Sequence, residues 1–151
     1  MSDRSELIEL HNRLSKTLDE ERVAAREKRY EKGYRTAREN LDDLVDKDSF
    51  VEYGQLAIAA QKSRRELEEL RTETAADGII TGFGKINSEI LDDKKALSAI
   101  IINDYSVLAG TQGYYHHKKL DRICETAEKQ NLPVVMYTEG GGGRPGDTEV
   151  H

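Results

Sequence analysis

The chain has 151 residues, room for one ordinary domain, and carries Lys+Arg 23 against Asp+Glu 29, formally −6 at pH 7, which excludes a general attraction for nucleic acid or anionic membrane. No apolar run is long enough to span a bilayer, and the opening "MSDRSELIEL" lacks the basic, apolar and small-residue order of a signal peptide. The single Cys124 excludes an internal disulfide and stands outside any CxxC or Cys/His set, so a reducing, cytoplasmic setting is expected.

Charge is dense up to about Arg71, and from Ala75 onward the chain turns apolar and glycine-rich. That change places a boundary near Thr72–Ala75, between a helical arm (1–74) and a second part (75–151). In the arm nothing breaks a helix from Ser5 to Glu31. Leu7, Leu10, Leu14 and Leu18 form one apolar stripe, which weakens to Val23, Ala25 and Tyr30. Gly33 is the expected stop. Thr36 with Glu39 three residues on spells a capping box for a short second helix, whose apolar side is Leu41 and Leu44. "DKDSF" reads as a turn. Tyr53–Arg71 reads as a third helix through Leu56, Ala60, Leu67 and Leu70. The charged faces read as solvated, and the heptad pattern is too short for a convincing coiled coil.

In the second part, "ADGIITGFGKIN" predicts two short β runs with Gly78, Gly82 and Gly84 between them. A polar excursion, Ser88–Lys95, leads to a buried strand, Ser98–Ile102, a turn at Asn103-Asp104 and a further short run, Tyr105–Leu108. Gly113–Lys129 predicts a helix in which Gly113, His117, Leu120, Cys124 and Ala127 share one face. That face puts His117 toward the sheet, His116 toward water, and Cys124 inside as a structural thiol. Leu132–Thr138 is a continuous apolar strand, expected where both faces are covered. The order of strand, strand, helix, strand is an α/β arrangement.

The chemistry concentrates in "YTEGGGGRPGDTEVH". Gly141, Gly146 and Thr148 have P-loop spacing after a strand, but the lysine position holds Asp147, whose carboxylate would repel phosphate. Two other readings are a flexible loop and a pair of bare amides converging on one oxygen, as in an oxyanion hole. His116 and His117 point about 100° apart on a helix and only His11 and His151 remain, so no zinc set is expected. There is no G-x-S-x-G elbow for covalent catalysis.

Four blocks in a common order resemble the carboxyltransferase subunits of biotin-dependent acyl-CoA carboxylases. "RTARENLDDLVDKDSFVEY" is similar to the family's "TARERI…LLD.GSF.E", and "AADGIITGFGKIN" to "ADGVVTGFGRING". "NDYSVLAGTQGYYHHKKLDRI" is similar to "QDFTVLGGSLGEAHAKKI", and "NLPVVMYTEGGGG-R" to "GVPVIGLNDSGGAR". The form "EGGGGRPGD" looks like the branch with long-chain or multi-domain carboxylases.

The resemblance implies an α/β fold: part of a crotonase-like (ClpP/crotonase) ββα superhelix preceded by a charged helical arm. It implies transfer of a carboxyl group from carboxybiotin to the α-carbon of an acyl-CoA, through an enolate held by the amides of Gly141 and Gly142. It places Arg38, Thr81, Gly82, Phe83, Gly84, Leu108, Ala109 and Gly110 along the acyl-CoA groove. Lys118 and Lys119 either meet CoA phosphates or are plain exposed lysines. Arg144 either holds the loop or touches substrate. The implied partners are acyl-CoA, a biotin carboxyl carrier with biotin on a separate domain, biotin carboxylase and further copies of the chain, with no metal, nucleic acid or membrane. The departures are the longer Ser88–Lys95 insertion, acidic residues after the loop, and family subunits with two such domains. The chain therefore reads as an N-terminal fragment, inactive alone. Alternatives are a truncated non-catalytic interaction module and a small phosphate-binding protein.

Overall fold

A computed structural model describes residues 2–147; Thr148 and His151 lie outside the described residues. The helices are α1 (Ser2–Ser15), α2 (Val23–Glu31), α3 (Ala37–Leu44), α4 (Leu67–Glu73), α5 (Asp93–Ala96) and α6 (Tyr114–Gln130). The strands are β1 (Val51–Tyr53), β2 (Ile79–Lys85), β3 (Leu97–Asn103) and β4 (Val134–Tyr137). They form one sheet in the order β1-β2-β3-β4. β1 and β3 run antiparallel to β2, with Glu52 opposite Gly82 and Ile80 opposite Ile102; β4 runs parallel to β3, with Val135 opposite Ile100.

Strand periodicity divides β2 and β3 between two cores. Ile80, Ile100 and Ile102 pack on Ala37 and Leu41 of α3, with Phe50 and Val45 closing the edge. Ile79, Ala99 and Ile101 pack on Ile123 and Ala127 of α6. A strand covered on both faces reads as an unbroken apolar run, as "SAIII" in β3 does. The capping box forms as expected: the Thr36 hydroxyl accepts from the Glu39 N–H, and Glu39 accepts from the Thr36 N–H at 2.8 Å.

Several elements differ from the sequence expectation. The helix expected over Ser5–Glu31 is two helices, broken at 16–22. Tertiary partners hold that break. The buried Thr17 hydroxyl donates to the Leu14 carbonyl and accepts from the Gln55 amide, both at 2.7 Å. Asp19 accepts from the Thr36 hydroxyl, and Arg22 donates to Asp104 at 2.7 Å. The helix expected over Tyr53–Arg71 begins as a strand and is helical only from Leu67. Its alanines are loop residues: Ala59 and Ala60 are buried, and the Ala59 N–H donates to the Thr74 hydroxyl.

"IITGFGK" is one strand rather than two, because Gly82 and Gly84 leave space for Phe50 and Val45 instead of turning the chain. Tyr105–Leu108 is a turn and not a strand; Asp104 accepts the Ser106 N–H, and Val107 donates to the Asp104 carbonyl. The buried face of α6 is rotated by one residue. His116, Lys119, Ile123 and Ala127 are inside, while His117 and Cys124 are exposed. Lys119 decides the register, since its stem is buried and its ammonium reaches backbone carbonyls. β4 is an edge strand with both faces incompletely covered; Val134 is 48% and Met136 40% exposed.

Candidate functional site

The parallel β3–β4 pair carries two loops to the same end of the sheet, 104–113 after β3 and 138–147 after β4. They meet backbone to backbone. A Cβ at Gly140 would lie 2.5 Å from the Gly110 carbonyl oxygen, and a Cβ at Gly110 would overlap the Glu139 carbonyl. Gly110 also has φ +63, a conformation glycine adopts without strain. Beyond this contact the Gln112 N–H donates to the Gly142 carbonyl and the Arg144 N–H to the Gln112 carbonyl, both at 2.8 Å. Before it, Arg29 of α2 grips Glu139 with two bonds of 2.7 and 2.8 Å.

Between these anchors, Gly141 and Gly142 are exposed. Among the described residues their N–H groups donate to nothing. Gly142 has φ +90, and no atom lies within 4 Å of where its Cβ would be. Two neighbouring donors are thus free, on a segment whose flanks are fixed.

Arg144 is the fastener. Its side chain is 6% exposed and its Nη1 meets Asp77 Oδ1 at 2.5 Å and Asp147 Oδ2 at 3.4 Å. Its Nη2 donates to the Thr111 carbonyl at 2.6 Å and its Nε to the Thr111 hydroxyl at 3.2 Å. The two carboxylates cap α6. Asp147 accepts the Tyr114 N–H at 2.9 Å and Asp77 accepts the His116 N–H at 2.7 Å, so negative charge sits at the positive end of the helix dipole. The N-cap, Gly113, has no side chain to do this, and a Cβ there would come within 2.5 Å of Arg144. Asp147, where a P-loop has lysine, is therefore a helix cap that also accepts from Gln61.

The turn bearing Asp77 is left-handed over three residues, with φ 52, 51 and 73 at Ala76, Asp77 and Gly78. It is held from three sides. Lys119 Nζ donates to the Ala76 carbonyl at 2.8 Å and to that of Ile79; His116 Nδ1 is 3.1 Å from the Asp77 carbonyl; Arg144 takes the carboxylate. A carbonyl only accepts, so the His116 proton is on Nδ1, and the buried Nε2 lone pair has no partner among the described residues. Burial lowers the His116 pKa to about 4 and that of Lys119 to about 8. Burial pushes the Asp77 carboxyl up while Arg144 pulls it back.

The candidate residues fall in separate places. Leu108, Ala109 and Gly110, with left-handed φ of 48, 55 and 63, form a tight turn against the glycine loop. Thr81, Phe83, Lys118 and Lys119 line a cavity of about 380 Å³ between α6 and the β1–β2 edge. Gly82 and Gly84 face the other side of the sheet. Arg38 is bound to Glu52 at 2.5 Å. A second cavity, about 530 Å³, lies between α2 and residues 105–109, lined by Lys28, Lys32, Tyr105 and Ala109 among others. Sequence reasoning missed Asp77, Arg29 and Glu139 and read Asp147 only as a departure from the P-loop pattern; the Asp-Gly pair at 77–78, a turn signal, marked Asp77 alone.

Residues 28–149 match the carboxyl transferase domain model. The chain belongs to the carboxyl transferase family. It is 34% identical over 139 residues to the biotin-dependent acetyl-/propionyl-coenzyme A carboxylase beta5 subunit of Mycobacterium leprae, covering 91% of this chain and 23% of that protein. It is 32% identical over 149 residues to the methylmalonyl-CoA decarboxylase alpha subunit of Veillonella parvula, covering 95% of this chain and 26% of that one. Among solved structures, a single-chain, multi-domain long-chain acyl-CoA carboxylase superposes with TM-score 0.91 at 51% identity, over 97% of this chain and 15% of that one. The transcarboxylase 12S hexamer core with methylmalonyl-CoA bound gives TM-score 0.66 at 27% identity, over 82% and 22%. The sheet and its helices are thus a part of the crotonase-like carboxyltransferase fold. The chain spans about a quarter of the length of these curated relatives.

Proposed function

We propose that this chain supplies the acyl-CoA half of a carboxyltransferase, with Gly141 and Gly142 as the donors to a thioester enolate. The observation that carries this is the pair of free, adjacent N–H groups on a segment fixed at both ends. An enolate places negative charge on the thioester oxygen, and amides already aimed there stabilise it without reorganising. Carboxylation and decarboxylation at that α-carbon share this intermediate, which fits relatives of both kinds. Leu108–Gly110 forms the wall against which the thioester lies. Lys28 on α2 and Lys32, the residue that caps its C-terminus, have no carboxylate partner among the described residues, line the neighbouring cavity and suit the phosphates of CoA.

Carboxybiotin, on a separate carrier domain, is the donor substrate, and no residue of this chain is assigned to hold it. The further partners are the biotin carboxylase component and other copies of the chain, the latter supported by the exposed apolar residues of edge strand β4. The setting is cytoplasmic; among the described residues no helix is long and apolar enough to cross a membrane.

The test is propionyl-CoA binding to the chain, followed by ¹⁵N NMR. Binding should shift the Gly141 and Gly142 amides and weaken when Lys28 and Lys32 become Glu. In a full-length relative carrying this loop, Gly142→Val, which cannot keep φ +90 and so displaces its N–H, should lower turnover by about 10²-fold or more, the lower end for losing one such donor. Unmoved glycine amides at saturation, or near-normal turnover in the valine variant, would overturn the assignment.

A further inference from the structure

The cavity between α6 and the β1–β2 edge shares no lining residue with the glycine loop or with the α2 cavity. Its walls are apolar: the Tyr53 and Phe83 rings meet edge to face at 5.6 Å, and Ala57 and Ile123 complete them. Its two threonine hydroxyls are satisfied internally. The Thr81 hydroxyl donates to the Tyr53 carbonyl, and the Thr126 hydroxyl to the Arg122 carbonyl. About 380 Å³ is within the range of small-molecule sites, which are mostly apolar with a few placed polar groups.

The charged residues that line it are all of one sign; Glu52 and Asp77, which act on Lys119, are not among the lining. Lys118 and Arg122, one helical turn apart, stand at its mouth, and Lys119 lines it from inside. None of the three makes an ion pair among the described residues; Lys118 lies over the Tyr114 ring at 5.4 Å, and Lys119 holds two carbonyls. Four arginines elsewhere in the fold are paired instead. Arg22, Arg29, Arg38 and Arg144 each meet a carboxylate within 2.7 Å. In a chain with six more acidic than basic residues, Lys118 and Arg122, two exposed cations without an ion pair among the described residues, give the mouth of this apolar cavity a positive potential.

We propose that this cavity is a binding site for a small amphipathic carboxylate, with its aliphatic or aromatic body against Tyr53, Phe83 and Ile123 and its carboxylate on Lys118 and Arg122. The site is separate from the acyl-CoA site and does not depend on its assignment. Arg122 presents the planar fork that a carboxylate fits in two bonds, and Lys118 adds a mobile point charge. Gly54 keeps the entrance open; with φ +70, its missing Cβ would stand 3.0 Å from the Lys119 stem.

Calorimetry on the whole chain with decanoate, below its micelle concentration, tests this, with decyltrimethylammonium as the charge control. Decanoate should bind saturably and the ammonium compound at least tenfold more weakly. Amide shifts should centre on Tyr53, Phe83 and Ile123. Lys118→Glu with Arg122→Glu should weaken decanoate at least tenfold, and Ala57→Phe, which fills the space, should do the same from the apolar side. A melting temperature close to that of the parent chain shows that each variant folds. No saturable binding, equal binding of the ammonium compound, or folded variants with unchanged affinity would overturn the proposal. Displacement of decanoate by propionyl-CoA would overturn the separateness of the two sites.

Discussion

Two glycine-rich stretches sit a few strands apart and use the same residue for different ends. In β2, Gly84 faces Val45 and Phe50, so its missing Cβ is filled by neighbouring side chains, at 3.0 and 3.3 Å. In the loop after β4, Gly140 faces the Gly110 carbonyl, so its missing Cβ is filled by backbone. Two residues on, Gly142 faces nothing at all. A glycine can make room for a side chain, for another main chain, or for something from outside. Gly142 combines that open space with a free N–H, and the free N–H, which Gly141 shares although its Cβ would meet the Ala109 carbonyl at 3.2 Å, separates a candidate binding glycine from a packing glycine.

The contrast breaks most severely if the loop loses its fastener. Arg144→Leu leaves Asp77 buried without its cation, which should cost about 3–5 kcal/mol in urea unfolding, the range for orphaning a buried charge. Asp77→Asn, which keeps the shape but cannot form the ion pair, should also destabilise the chain, and a loss below about 1 kcal/mol for both would show that the clamp is idle.

Acid should loosen the same region next. His116 has its folded pKa depressed, from 6.5 to about 4, so its contribution to stability is present above pH 6.5 and is lost as pH falls from there toward 4. The loss should be on the order of 3 kcal/mol, at 1.36 kcal/mol per unit. A His116→Gln variant, which does not titrate, should lack this part of the acid sensitivity; an unchanged pH profile would remove His116 as its source.

The glycines themselves sharpen the comparison. Gly140→Ala has only backbone to push against and should cost about 1–3 kcal/mol, as overpacking does. Gly84→Ala meets side chains that can yield and should cost about 1 kcal/mol or less, and trimming Val45 to Ala should reduce that further. If the two substitutions cost the same, the distinction between a backbone contact and a side-chain contact has no energetic content here.

Legibility in the sequence followed the range of the interactions. The capping box of α3 spans four residues and was visible. So was β3, because cover on both faces removes the polar alternation. The face of α6 was misread by one position, because a lysine was assumed to belong outside and Lys119 is inside with its ammonium on two carbonyls. The break in the arm was invisible, since Thr17 and Arg22 find their partners at Gln55 and Asp104. At the site, the glycines announced a special backbone, and Arg144 was marked only as either a fastener or a substrate contact. Nothing local tied it to Asp77, 67 positions away.

The grip of Arg29 on Glu139 joins residues 110 positions apart. Contacts of such separation close late, because a long loop must lose its freedom before they are rewarded. A chain emerging from the ribosome would order α3 and the β2–β3 hairpin while Glu139 was still unmade. The anchoring of the glycine loop to the helical arm therefore waits on a contact between distant parts of the chain. A partly folded molecule in which β2 and β3 have paired but Arg29 has not met Glu139 would have its sheet core before the loop's first anchor.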